Sequence, residues 1–93
     1  MFEAMAREML ADYQKDLIRW ITVLNRIEGG LGEWHPLTDA LARVLSMQRI
    51  KGALPVAETM ETLTYAFNVI EEYRDRWAEH EWQKLAHRLV SAA

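Results

Sequence analysis

From residue 56 to residue 93 the chain runs without a glycine or a proline, and most of that run carries an apolar stripe at helical spacing. As one straight helix it would be roughly 55 Å long, at about 1.5 Å per residue. A chain of 93 residues cannot cover such a rod along its whole length. Either the rod breaks near its charged middle, or something outside the subunit covers the excess.

The bulk chemistry narrows the classes. Apolar residues make up 51% and charged residues 27%, which is enough for a packed core and argues against disorder. The length suits one domain, 1–93. There is no cysteine, so disulfides and thiolate zinc sites are excluded. The formal charge is −3, where a general nucleic-acid binder carries a basic field. That charge is uneven. Arg43, Arg49 and Lys51 outnumber Asp39 between positions 37 and 57, while seven acids face only Arg74 and Arg76 between positions 58 and 82. Glu3, Arg7, Glu8 and Asp12 interrupt any apolar leader, and no stretch approaches the ~20 apolar residues of a membrane span. The expectation is a soluble, cytoplasmic protein.

The periodicity predicts an all-α, long–short–long arrangement of three helices. In the first segment Phe2, Met5, Met9, Tyr13, Leu17, Trp20, Leu24 and Ile27 recur at steps of three and four. Glu3 and Arg7 form a favourable i,i+4 pair, and Gly29 stands where a C′ glycine would end the helix. A second helix starts at Pro36 or Leu37, buries Leu37, Leu41, Val44, Leu45 and Ile50, and stops at Gly52 with Lys51 in its last turn. Pro55 suits the first position of the third helix, whose stripe is Val56, Met60, Leu63, Phe67, Ile70, Tyr73 and Trp77. Ala78, Trp82, Leu85 and Leu89 continue it with a sideways shift that brings Arg74 and Glu81 close to the apolar face. A break near 79–81 would make four helices, and a continuous helix would meet a different surface with its second half.

The chemistry-bearing patterns are weak. His80 and His87 stand seven apart with Lys84 where a metal-binding i,i+4 histidine would be needed. No metal site and no cofactor is expected. Glu71, Glu72, Asp75 and Glu79 line one side of the third helix, with Arg76 one turn after Glu72, which is the pattern of a solvated, ion-paired face. Ser46 and Ser91 lie in no nucleophile elbow, and the glycines at 29, 30 and 32 lack the lysine and strand of a phosphate loop. The run from Leu41 to Arg49 looks like the first half of a helix-turn-helix with Ser46 at the turn. Gly52 and Pro55 would then break its recognition helix. A DNA-binding transcriptional regulator is therefore a secondary alternative.

In size and helix order the chain also resembles the helical chorismate mutases, which are intertwined dimers. That resemblance implies several inward arginines and a lysine holding a dicarboxylate. Here Arg7, Lys51 and Gln83 are the candidates, and Leu24 occupies the region where a second arginine would be wanted. A chorismate-mutase-like enzyme is the other alternative, and the principal expectation is that the chain is not an enzyme.

That principal expectation is a small helical interaction module: a homodimer that binds another protein through helix faces, as a regulator, an inhibitor or an adaptor. No membrane and no nucleic acid are expected as partners. The candidate contact residues are Trp77, Trp82, Leu85 and Leu89 on the third helix, with Leu31 and Trp34 in the loop after the first. Each could instead be ordinary core, and for Trp77 core is the favoured reading.

Overall fold

The computed structural model describes residues 1–26 and 35–92, and for residues 35 and 92 it describes the backbone alone. Its elements are three helices: α1 (Phe2–Asn25), α2 (His35–Gln48) and α3 (Val56–Ala92). The long–short–long order stands. α3 passes through 79–81 without a break, so the four-helix variant is not formed. No side chain with helix-breaking chemistry occurs there, and Glu81 and Lys84 pair at 3.8 Å along the helix surface.

Three pairs of neighbours define the topology. The backbone N–H of Leu54 donates to Glu3 Oε2 at 3.0 Å, the rings of Tyr13 and Phe67 are 6.5 Å apart, and Trp20 meets Trp77 edge-on at 6.2 Å. The numbers rise together, so α1 and α3 run parallel and α2 returns between them. The core joins Leu10, Leu17 and Leu24 of α1 to Leu37, Ala40 and Val44 of α2 and to Leu63, Ala66, Ile70 and Tyr73 of α3.

The buried faces are rotated from the stripes that hydrophobicity alone marks. On α1, Ala6 and Leu10 are buried while Met5 and Met9 stay exposed. On α3, Thr59, Thr62, Ala66 and Val69 are buried while Val56, Met60 and Phe67 stay exposed. Small side chains let a neighbouring helix approach closely, and Thr59 satisfies its hydroxyl on Met47 Sδ at 3.7 Å. The buried faces thus mix small side chains with Leu10, Leu17, Leu63, Ile70 and Tyr73, while Met5, Met9, Met60 and Phe67 are left outside.

The α2–α3 connector is held by α1. Arg7 pairs with Glu3 at 3.2 Å and donates to the carbonyls of Ile50 and Gly52, each at 2.9 Å. α2 ends at Gln48, three residues before Lys51, and closes with N–H bonds from Arg49 to the Leu45 carbonyl and from Ile50 to the Met47 carbonyl. Gly52 then takes φ +92°, a left-handed conformation that glycine adopts at low cost. Pro55 lies just outside α3 and accepts the Thr59 N–H at 3.0 Å.

Candidate functional site

The final third of α3 is exposed along its length. From Glu81 to Ser91 every residue is exposed, and the run includes Trp82 at 68%, Leu85 at 47%, Leu89 at 64% and Val90 at 76%. The whole chain measures 61 × 22 × 16 Å, close to the length of a 37-residue helix. Trp77 marks the boundary. It is half-buried against Trp20, with His80 5.9 Å beyond it, and it closes the end of the three-helix body. Trp82, Leu85 and Leu89 lie past that point. Leu31 and Trp34 lie outside the described residues.

The hollow beside Trp82 is lined by Ala78, Glu81, Lys84, Leu85 and Arg88. Lys84 and Arg88 follow Trp77 at steps of seven and four, so they continue the α3 edge that faces α1 lower down. The overhang is thus an apolar strip with a basic edge.

A second apolar surface escapes a reading by stripes alone. The bulky edges left outside by helix packing meet in an open groove of about 350 Å³ between α1 and α3. Met5, Met9, Tyr13, Met60, Leu63 and Phe67 line it, with Phe2 at one end. The signal for it was present in the sequence. Both stripes are wider than the arc a single packed neighbour covers, and three methionines fall on the same edge. Methionine suits such a surface because its unbranched, polarizable side chain adapts to irregular partners.

Acids border this groove. Burial pushes the Tyr13 phenol above its ordinary value, and the charges of Asp16, Asp12 and Glu71 push it further. Glu71 is paired with Arg74 on α3, and Glu72 with Arg76 at 3.0 Å. On the far side of α3, burial and a hydrogen bond from its hydroxyl to Asp39 Oδ2 at 2.8 Å raise Tyr65. Arg43 lies 4.6 Å over the Tyr65 ring and 3.2 Å from Asp39, so this cluster ties α2 to α3.

The remaining sequence candidates are placed as follows. Ser46 lies inside α2, which runs through it without a turn, so the helix-turn-helix geometry is not formed. Arg7 spends its guanidinium on the connector carbonyls and does not face an interior pocket. Arg74 and Glu81 are exposed and ion-paired. Among the described residues no three His, Asp or Glu side chains are placed to hold a metal ion, and no buried side-chain polar atom lacks a partner. No described helix is long and apolar enough to cross a membrane. No protein family, curated protein or solved structure matches the chain.

Proposed function

We propose that the chain is a protein–protein interaction module that works as a homodimer and binds another protein through its helix faces, in a regulatory, inhibitory or adaptor role. The observation that carries this reading is the overhang: about three turns of helix whose large apolar side chains Trp82, Leu85, Leu89 and Val90 are exposed. Exposed strips of that kind mark contact sites. An isolated helical segment of that length is marginal in water, so its partner also supplies its stability. Burying one large apolar side chain contributes about 1.5–3 kcal/mol. Trp82, Leu85 and Leu89 together therefore provide enough for a specific contact, with Trp82 as the anchor.

The test is Trp82→Glu. The side chain is exposed, so the change leaves the three-helix body folded. Sedimentation should show the native chain at about twice its 10.9 kDa and the variant at the single-chain mass. A variant that associates as the native chain does would remove the overhang from the contact.

A further inference from the structure

We infer that the occupant of the methionine-lined groove is the overhang of a second copy of this chain, laid antiparallel along α3 about a two-fold axis between Glu72 and Tyr73. This rests on the reading of the overhang as a contact surface and specifies its partner and register.

α3 carries a repeat. Val56, Phe67, Ala78 and Leu89 recur every eleven residues. Within each interval the steps are four, three and four, through Met60 and Leu63, then Glu71 and Arg74, then Trp82 and Leu85. Eleven residues in three turns is about 3.67 per turn, close to the relaxed helix, so this line stays on one face for its whole length. Most of it is exposed: Val56, Met60, Phe67, Trp82, Leu85 and Leu89 all are.

This line reads the same in both directions. About the stated axis Val56 faces Leu89 of the second copy, Met60 faces Leu85 and Phe67 faces Ala78, while Trp82 lies over the floor of the groove, where Leu63 is buried. The only charged members, Glu71 and Arg74, face each other across the axis. Every apolar position meets an apolar one, and every acid meets a base. Such self-complementarity is what a two-fold interface requires. The lengths agree as well: Val56 to Phe67 and Ala78 to Leu89 each span roughly 16 Å.

Each contact occurs twice in the dimer, so two overhangs and two grooves are covered together.

The chain has no cysteine, so introduced thiols report the register without interference. The double variant Met60→Cys with Leu85→Cys should give a covalent dimer under mild oxidation. Met60→Cys alone should not, because its two copies would stand roughly 38 Å apart. Met60→Cys with Leu89→Cys, one turn out of register, should cross-link at least tenfold more slowly. All three positions are exposed, so the variants keep the fold, which circular dichroism verifies. A native dimer by sedimentation whose 60/85 pair does not cross-link, or one in which Leu85→Cys alone cross-links fastest, overturns this register and leaves the overhang as a contact surface. A native chain that sediments as a single copy at millimolar concentration overturns both.

Discussion

Arg7 carries more of this fold than its exposed ion pair with Glu3 suggests. Surface pairs one turn apart contribute a few tenths of a kcal/mol. The same guanidinium, however, donates to two carbonyls 43 and 45 residues away, and charge-assisted bonds of that kind fix the path of the connector. Arg7→Ala should destabilise the chain by about 2 kcal/mol, seen as a drop of roughly 10 °C in thermal unfolding at fixed protein concentration. Arg7→Lys should recover less than half, because an ammonium cannot fork between two acceptors. An Arg7→Ala protein with unchanged Tm would show that the connector is held by Leu54 and its packing alone. The local half of this arrangement was legible from spacing, since Glu3 and Arg7 stand at i and i+4. The distant half was not, because nothing in the periodicity of α1 says which loop returns to it. Thr59 and Ala66 teach the same lesson. Both are buried because a helix packs closely against them, and neither ranks high on any scale of hydrophobicity.

At the scale of the element, α3 is two structures in one helix. Up to Trp77 it is braced by α1 and α2, and from Glu81 on every described side chain is exposed, with Glu81 and Lys84 paired along the helix surface. A helical segment of about a dozen exposed residues opens readily. Amides from 82 to 92 should therefore exchange within seconds in dilute protein, while those near Ile70 and Tyr73 stay protected. Raising the protein concentration through the dimerisation range should slow exchange in the terminal segment at least tenfold and leave the core amides nearly unchanged. Fast exchange at every concentration would separate the overhang from the interface. The existence and order of the helices were legible because their apolar spacing is regular and Gly52 and Pro55 punctuate it; α1 ends at Asn25, and Gly29, expected as its stop, lies outside the described residues. Which arc of each stripe would be buried was not legible. The stripes on α1 and α3 are broad, and the buried arc is rotated to one side of each, toward Ala6 and Leu10 on α1 and toward Thr59, Ala66 and Tyr73 on α3. The groove follows from that rotation, as does the exposure of Met60 and Phe67, which a reading by size alone places in the core.

The shape of the whole molecule separates the ways in which two such chains can associate. α3 dominates the long dimension of 61 Å, and its midpoint lies within two residues of the proposed two-fold axis. Two copies laid about that axis overlap almost completely, so dimerisation widens the particle without lengthening it. Overhangs that paired only with each other, end to end, would put the axis near Leu85 and stretch the pair of helices to roughly 90 Å. Solution scattering distinguishes these directly. The native protein, measured where sedimentation shows the dimer, should have a maximum dimension within about 10% of the 61 Å chain while its forward scattering doubles per mole of chain. The Trp82→Glu variant should keep the dimension and lose the doubling. That combination arises only when the overhang folds back along a partner's body, because end-to-end contact lengthens the particle by half and a contact made through α2 leaves the exposed strip, and its sensitivity to Trp82, unexplained.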